Sequence, residues 1–395
     1  MKSIGNAGPD LHDPWLDVVR GVAILAVVTV HAMQNSDGFT LSHGGETNGL
    51  FTRVASNGAF GVELFFFLSG WLLAFIYGIQ NKELGVKYWS RRVARIYPLW
   101  LMWLIIEFLL FFCKSGGLVS TLDAQTSISS LFLINGYLLV PISTLTFTLW
   151  FSDLLYTNGV VPGSWSIQAE VGHYLLFPLI RKNRVNRTLY ILTLLNLITF
   201  FFKFHKLEKD GILRPFSIIV DAWMRLGLYA TFGYFLLGVL CQQIDIWENS
   251  FTKITNSFKM LCISKYSLII YFLSWFLLPV RFSHHGQIGT TLWVAFFLLI
   301  SRGLVKYRFS RGLFSQLGRY SYFIFFVHFE ILRVVGGLLD KLNLRLHFSG
   351  GFALSFVFYL IPTILISILL AIPSEKYIEK PAMKFARSRF GKSTT

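Results

Sequence analysis

The stretch RGVAILAVVTVH, residues 20–31, places an arginine and a histidine at the two ends of an otherwise apolar segment. With its flanks it predicts a membrane-spanning helix over about 15–34, because a span needs about 20 mostly apolar residues. Arg20 and His31 are eleven residues apart, which is about 16 Å of helix axis and close to three full turns. Both side chains are therefore expected on one face. Two hypotheses stay open here: functional groups, or a snorkelling arginine and a histidine that hydrogen-bonds a neighbouring helix.

Apolar stretches of this length recur along the whole chain. Of the 395 residues, 54% are hydrophobic and only 14% are charged, whereas a soluble chain carries roughly 25% charged residues. No stretch between the apolar segments is long enough for a separate soluble domain of ~100 residues. The sequence therefore predicts an all-α integral membrane protein of about ten transmembrane helices. The predicted spans are 15–34, 58–79, 96–113, 165–180, 188–203, 223–241, 263–281, 287–301, 320–339 and 351–372.

The charges of the connections predict the orientation. With the N-terminus inside, the inner loops and the C-terminal tail hold roughly three times as many Lys and Arg residues as the outer loops, which is the bias of cytoplasmic loops. Both termini are therefore expected to be cytoplasmic. Segment 114–164 is less regular, because its apolar runs at 130–140 and 145–155 are each too short to span. Interfacial, re-entrant and hairpin arrangements stay open for it. We predict a transmembrane domain over 1–385 and a basic cytoplasmic tail over 386–395.

The composition also argues against other classes of protein. The formal charge of +16 would suit a nucleic-acid-binding protein, but the basic residues lie between apolar runs, as in the loops of a membrane protein. The expected partner is a lipid bilayer and not nucleic acid. Cys113, Cys241 and Cys262 are far apart, so the sequence predicts neither a disulfide framework nor a zinc site. Acidic residues around the first apolar stretch make a poor signal peptide, and the first helix is expected to stay in the mature protein.

Two carboxylates are expected at the depth of His31. Glu63 in GAFGVELFFFLSG and Glu170 in GSWSIQAEVGHY each lie about five residues inside the outer end of a predicted span, which is ~7 Å below the surface. Ionisable groups at membrane depth are costly and usually functional. A carboxylate beside a histidine fixes its tautomer and supports its cationic form, as general-base catalysis requires. A helix–helix hydrogen bond is the alternative for each carboxylate.

The other intramembrane charges are more ambiguous. Glu330 and Arg333 share the ninth predicted span at a spacing of i,i+3, and such a pair is predicted to be structural. His328 lies on the same span. His173, three residues after Glu170, is equally compatible with packing.

An arginine cluster, RRVARIYP at residues 91–98, opens the third predicted span. Arg92 and Arg95 share a helix face at this spacing, and the planar guanidinium group suits phosphate. Ordinary loop charge is the alternative. Because Arg20 is expected at the same inner level, three arginines are predicted to converge at one phosphate site. A CoA molecule, with phosphates at one end and a thioester at the end of a long arm, fits basic groups at the inner mouth and a histidine about 16 Å away.

Six motifs, in order, resemble the acyltransferase-3 family of membrane O-acyltransferases, which includes O-antigen and exopolysaccharide acetylases. They are LDVVRGVAILAVVTVH, GAFGVELFFFLSG, RRVARIYP, GSWSIQAE, LGRYSYFIFFVH at 317–328 and YIEKPAMK at 377–384. The resemblance covers residues 13 to 385 approximately. Each motif alone is weak, but the order of all six makes the match specific. Val171 and Gly172 depart from a Glu and a Gln that often follow the family carboxylate, and Glu330 replaces a common Pro.

The resemblance implies an acyl-CoA-dependent O-acyltransferase in a bacterial cytoplasmic (inner) membrane. Acetyl-CoA is the usual donor, and the acceptor is a hydroxyl of a cell-surface polysaccharide or a lipid-linked sugar. The resemblance implies that Arg20, Arg92 and Arg95 bind the cofactor and that His31 is catalytic, and it lends weight to Glu63 and Glu170. These two carboxylates complete the expected catalytic set, in which one of them orients His31. His31 would act as a general base or carry the acyl group. No metal is expected, and other polysaccharide-biosynthesis proteins are possible partners.

A transporter or flippase for a lipid-linked saccharide is the competing hypothesis. Ten spans and buried charges permit it. The sequence shows no two-fold internal repeat, which is a common feature of transporters. Movement of sugar without consumption of acyl-CoA would favour this alternative.

Overall fold

The computed structural model describes residues 14–35, 58, 60–78, 85–114, 164–180, 232–239, 242, 308–342 and 354–390. Every regular element in these ranges is helical and none is a strand, which confirms the predicted all-α class. The predicted spans 188–203, 263–281 and 287–301, most of 223–241 and segment 114–164 lie outside the described residues. The total of ten spans, the orientation of the termini and the boundary after residue 385 stay predictions.

Seven α-helices are described in chain order. They are α1 (Pro14–Asn35), α2 (Phe60–Leu73), α3 (Val86–Lys114), α4 (Ser164–Ile180), α5 (Arg308–Lys341), α6 (Leu354–Ser374) and α7 (Lys380–Phe390). A π-helical turn, Ala74–Gly78, continues α2, and a second one, Glu375–Glu379, joins α6 to α7. Residues 232–239 are also helical. Within the described ranges, helices coincide with six of the ten predicted spans and with part of a seventh, 223–241.

Three of the described helices are long and apolar enough to cross a membrane. These spans are Leu16–Asn35, Gly312–Lys341 and Phe356–Arg389, with mean hydropathies of 1.8, 1.7 and 2.4. The segment Gly61–Tyr77 is apolar but shorter. On α6, the side chains of Ile361, Leu365 and Leu369 form an exposed stripe at a spacing of four residues. Such a stripe on a helix of this hydropathy is suited to contact with lipid.

Two helices begin much earlier than the apolar pattern predicted. Helix α3 starts at Val86 and α5 at Arg308, about ten residues before the predicted spans at 96 and 320, well beyond the usual boundary error of a few residues. The reason is that both first turns are rich in Lys and Arg, which lowers hydropathy without lowering helix propensity. The hydropathy pattern therefore predicted the apolar part of α3 and of α5 but not the basic turns at their N-terminal ends.

Helix α1 lies at the centre of the described structure and packs against α2, α5 and α6. Most of its side chains are buried, as expected for a helix that is apolar on all sides. Its contact with α5 brings backbone against backbone. A Cβ atom on Gly318 would collide with the carbonyl of Asp17, and one on Gly21 with the carbonyl of Phe314. Glycine at these two positions is thus what allows α1 and α5 to approach so closely.

The C-terminal part is tied to α5 by an ion pair. Arg319 donates to both carboxylate oxygens of Glu375 at 2.8 and 2.9 Å, and Lys380 lies 3.5 Å from the same carboxylate. The side chain of Arg319 is 49% exposed, so the pair contributes little stability by itself. It does fix where the second π-helical turn meets α5, and α7 then packs on α3.

Candidate active site

Three arginines converge on one pocket between α1, α2, α3, α4 and α5. Arg20 comes from α1, and Arg92 and Arg95 come from successive turns of α3. The pocket opens to solvent, and together with its open mouth it has about 660 Å³ of empty space. Its other lining residues are Val62, Phe65, Phe66, Leu68, Ser69, Leu72, Ser166, Ile167, Glu170, Tyr174, Ser321, Tyr322 and Phe325. The predicted convergence of the arginines is confirmed, whereas their binding of phosphate stays a prediction.

Arg92 is held in a cage of tyrosine rings. Its side chain is 8% exposed, and its Cζ atom lies 5.9, 5.8 and 5.3 Å from the ring centroids of Tyr77, Tyr88 and Tyr174. Tyr77 belongs to the first π-helical turn and meets Tyr88 edge to face at 5.1 Å. A guanidinium over several aromatic faces is stabilised electrostatically. The aromatic cage therefore fixes Arg92, while Arg95 is only partly buried on the pocket wall.

Glu170 brings a carboxylate into the same pocket. Its Oε1 atom accepts a hydrogen bond from Ser69 Oγ at 2.9 Å and another from the Tyr174 hydroxyl. Tyr174 lies four residues further along α4, on the same face as Glu170. Its backbone carbonyl in turn accepts a hydrogen bond from the Tyr88 hydroxyl at 2.9 Å. One chain of contacts thus links α2, α4 and α3 and orients the carboxylate towards the arginines.

Arg20 has an acidic neighbour on its own helix. Its Nη1 atom lies 3.3 Å from Oδ1 of Asp17, and the two side chains are 17% and 7% exposed. A third carboxylate, that of Glu379, interacts electrostatically with Arg95. Three guanidinium groups therefore face three carboxylates, those of Asp17, Glu170 and Glu379, and the pocket has no formal excess of positive charge. What it offers an anionic oxygen is the clustered N–H donors of the guanidinium groups.

His31 lies in a different environment from the pocket, at the other end of α1. Its Nδ1 atom is 2.8 Å from Oε1 of Gln34, and its ring centroid is 5.3 Å from that of His328 and 4.4 Å from that of Phe329. An amide oxygen only accepts, so this contact places the proton of neutral His31 on Nδ1. Nε2 then keeps its lone pair, which is the form that a general base needs.

Glu63 occupies a third environment. It is hydrogen-bonded by Tyr234 from residues 232–239, and its Oε2 atom is buried without a hydrogen-bond partner in the described part of the chain. Neither Glu63 nor His31 is among the residues that line the arginine pocket. The structure therefore does not bring His31, Glu63 and Glu170 together in one layer, as counting from the span ends suggested.

The reason lies in the depth at which α2 begins. A Cβ on Gly58 would meet Ala26 and Val30, and one on Gly61 would meet Ala23 and Val27. Helix α2 therefore runs antiparallel to α1. Its first turn lies beside residues 23–27 of α1, which is closer to Arg20 than His31 is. Glu63, two residues after Gly61, lies beside the half of α1 that carries Arg20. Counting residues from a span end assumes that all helices start at one surface, which is not the case here.

The structure also shows the contacts of the Glu330–Arg333 pair and of His173. Arg333 donates to Glu330 at 2.7 Å, which confirms the predicted structural pair. His173 is fully buried and packs on Phe66 and Phe235 at centroid distances of 4.9 and 5.0 Å. Of the two roles left open for it, packing is what the structure shows.

Sequence reasoning missed several polar residues of the site. Tyr174 was detectable, because a hydroxyl four residues after a carboxylate shares its helix face. Gln34, three residues after His31, gave the same kind of signal. Ser69 and the tyrosine cage were not detectable, because they reach the pocket through contacts between helices that no local spacing encodes.

The pocket combines clustered guanidinium groups, an anchored carboxylate and several hydroxyls, and helices of spanning length are part of the same fold. These features define a membrane protein with an arginine-rich polar pocket. The model of the acyltransferase domain family matches residues 13–372. The chain therefore belongs to the acyltransferase-3 family, as its motifs indicated.

Curated relatives support this assignment. Acyltransferase MdmB of Streptomyces mycarofaciens is 30% identical over 178 residues, which is 44% of this chain and 41% of MdmB. O-acetyltransferase OatA of Staphylococcus aureus is 24% identical over 201 residues, 47% of this chain and 28% of OatA. Protein 2 in the picA locus of Rhizobium radiobacter is 30% identical over 165 residues, 40% of this chain and 75% of that protein. The chain thus matches less than half of MdmB and of OatA, and no solved structure matches it.

Proposed function

We propose that this protein is a membrane O-acyltransferase that transfers an acyl group, most simply acetyl, from cytoplasmic acyl-CoA to a hydroxyl of a cell-surface polysaccharide or lipid-linked sugar. The observation that carries the proposal is the convergence of Arg20, Arg92 and Arg95 in one partly open pocket. Family membership supplies the reaction class, and a relative whose name is O-acetyltransferase supports oxygen as the accepting atom. The proposed location is a bacterial inner membrane, with the donor on the cytoplasmic side.

The arginine pocket is suited to the phosphorylated end of CoA. Guanidinium groups bind phosphate through paired N–H donors. Arg92 is fixed by its cage, so Arg20 and Arg95 are the groups that adjust to the ligand. The carboxylate of Glu170 is anchored by two hydroxyls and limits how far a phosphate can enter, because like charges repel. Amide N–H groups of the pantetheine arm are suitable partners for it.

The histidine pair lies further along the same helices. Phe325 lines the arginine pocket, and its ring lies 5.9 Å from that of His328, which in turn contacts His31. The eleven residues from Arg20 to His31 correspond to about 16 Å of helix. An extended pantetheine arm is of comparable length. The thioester would therefore reach the level of His31 while the phosphates stay with the arginines.

His31 is proposed as the general base. The acceptor oxygen attacks the thioester carbon, the C–S bond breaks, and the hydroxyl proton passes through His31 Nε2 to the leaving thiolate. The hydrogen bond from Nδ1 to Gln34 keeps Nε2 available for this proton. Glu63 lies beside the Arg20 half of α1, away from His31 and from the acceptor, and its catalytic role stays a prediction. Glu170 is proposed to act on the donor side.

The test compares cell-surface glycans from cells that express the wild-type chain, His31→Ala or no chain. Mass spectrometry is expected to find acylated glycan with the wild type only, and fragmentation names the acyl group and the sugar. Membrane insertion of His31→Ala is checked in parallel by its abundance and detergent extraction. Full acylation by His31→Ala would refute the assignment of the base. Movement of a lipid-linked saccharide with no acylated product would favour the transporter instead.

A further inference from the structure

One polar group in the arginine pocket has no partner. The hydroxyl of Tyr322 on α5 is buried and makes no hydrogen bond within the described residues, although the Tyr322 side chain lines the pocket. A buried donor without a partner costs stability, and such groups in a native fold call for an explanation. A ligand that completes the hydrogen bond is one explanation, and a trapped water is another.

The surroundings of this hydroxyl indicate what kind of ligand it would meet. It lies close enough to Glu170, Tyr174, Arg95 and Glu379 to interact electrostatically with all four. Of these four groups only the guanidinium of Arg95 is a cation. The Glu170 Oε1 atom already accepts from Ser69 and Tyr174. Tyr322 is therefore left as a free donor beside a guanidinium group, and this pair of donors is suited to an anionic oxygen.

The ring of Tyr322 is held so that the hydroxyl keeps its place. It packs edge to face on Phe326, with 5.1 Å between the ring centroids. Helix α5 cannot shift along α1, because their backbones touch at Gly21 and Gly318. The hydroxyl is thus presented to the pocket at a fixed position relative to Arg20, as a preorganised binding group requires.

We propose that the Tyr322 hydroxyl is a fourth phosphate-binding group of the arginine pocket, donating a hydrogen bond to a phosphate oxygen of acyl-CoA beside Arg95. The inference rests on the proposed function, since it takes acyl-CoA as the ligand. The oxygen belongs either to the pyrophosphate or to the ribose phosphate of CoA, and both offer the same acceptor chemistry.

The experiment titrates the purified full-length protein in detergent with CoA. The variants are Tyr322→Phe, which removes only the oxygen, and Tyr320→Phe as a matched control. Tyr320 is two residues away on α5, and its ring faces Arg319 at 5.6 Å, outside the pocket. We expect Tyr322→Phe to raise the Kd for CoA about ten- to hundredfold, the loss typical of a hydrogen bond to a charged group. Tyr320→Phe is expected to stay within about twofold of wild type.

A second ligand identifies the part of CoA that Tyr322 binds. The nucleotide half of CoA, with all its phosphates but no pantetheine, is expected to lose affinity for Tyr322→Phe by the same factor as CoA. A loss confined to intact CoA would overturn the proposal, because the hydroxyl would then bind the pantetheine arm. An unchanged Kd for CoA would also overturn it and would indicate a trapped water. An equal loss of CoA affinity in Tyr320→Phe would also overturn the proposal, because the effect would not be specific to the pocket.

Two further titrations answer two questions. One is whether Tyr322 contacts the ribose phosphate or the pyrophosphate of CoA, and the other is whether a negative result contradicts the proposed donor site or only the role of Tyr322. If CoA without its ribose phosphate binds Tyr322→Phe as it binds the wild type, the hydroxyl contacts the ribose phosphate. If Tyr322→Phe still binds CoA without its ribose phosphate more weakly than the wild type does, the hydroxyl contacts the pyrophosphate. Both outcomes support the proposal. A wild-type protein that binds neither CoA nor its nucleotide half would contradict the proposed donor site itself. A wild type that binds both, with Tyr322→Phe unchanged, would contradict only the inference about Tyr322.

Discussion

The ring of Tyr174 lies over the guanidinium group of Arg92, with 5.3 Å between the ring centroid and Cζ. The hydroxyl of the same ring donates to Glu170. One side chain thus holds a cation against its face and an anion at its edge. This arrangement keeps two opposite charges in one pocket without letting them pair directly, so both stay available to a ligand.

The first prediction concerns this double role of Tyr174. Tyr174→Phe keeps the face over Arg92 but removes the donor to Glu170, and we expect acyl transfer to fall about tenfold, since a hydrogen bond to a charged group is lost. Tyr174→Leu also removes the cation–π contact and is expected to lower thermal stability by a further ~1 kcal/mol. Acylation assays and thermal unfolding in detergent measure the two effects. Equal stability of the two variants would contradict the role of the ring.

The second prediction separates Arg92 from Arg95. Lysine lacks the planar group that stacks on aromatic faces, so Arg92→Lys is expected to lose about 1–3 kcal/mol of stability from the tyrosine cage. Arg95→Lys is expected to unfold at the wild-type temperature. Arg95→Ala, by contrast, is expected to raise the Kd for CoA about tenfold or more through the loss of a charged contact. Titration of each purified variant with CoA, beside its unfolding curve, checks both. The distinction fails if Arg92→Lys is as stable as Arg95→Lys.

The third prediction concerns the helix contact at Gly318. Gly318→Ala forces a methyl group onto the Asp17 carbonyl and is expected to destabilise the fold by at least about 1–3 kcal/mol. Gly337→Ala on the same helix is the matched control, because a Cβ there meets nothing within 4 Å. It is expected to be neutral or to stabilise by up to ~1 kcal/mol, as alanine does in a helix. Thermal unfolding of the two variants compares them, and the same shift in both would show that the contact is not tight.

The fourth prediction concerns the tautomer of His31. Gln34→Leu removes the acceptor of Nδ1 and is expected to lower turnover about three- to tenfold, the range of one neutral hydrogen bond. The Kd for CoA is expected to stay unchanged, because Gln34 is remote from the pocket. Gln34→Glu retains an acceptor oxygen and is expected to restore most of the turnover. A loss of CoA affinity in Gln34→Leu, or failure of Gln34→Glu to restore activity, would count against this role.

The sequence predicted those parts of the fold that depend on local pattern. The helical class, the six helices at predicted spans and the Glu330–Arg333 pair all follow from periodicity and from i,i+3 spacing. The convergence of Arg92 and Arg95 follows in the same way. Where basic turns extend a helix beyond its apolar part, as in α3 and α5, hydropathy underestimated its length.

The relative depth of helices was not predictable. Glu63 and Glu170 were expected at the level of His31, yet α2 begins part-way down α1, and Glu170 lies with the arginines. Depth is set by contacts between segments, here Gly58, just before α2, against Ala26 and Gly61 of α2 against Ala23, and no spacing within one segment encodes it. For the same reason the tyrosine cage, assembled from α3, α4 and a π-helical turn, came only from the structure.

The backbone contact between α1 and α5 bears on how the enzyme would work. Helix α1, which carries Arg20 and His31, is in direct backbone contact with α5, which carries Tyr322 and His328. The two ends of the site therefore form one rigid unit. A carrier that exposes its site alternately to each side of a membrane needs two bodies that rock against each other. Because α1 and α5 form one unit, they would not be the two bodies of such a carrier. We therefore expect substrates to approach a stationary centre from opposite faces, with only the acyl group crossing between them.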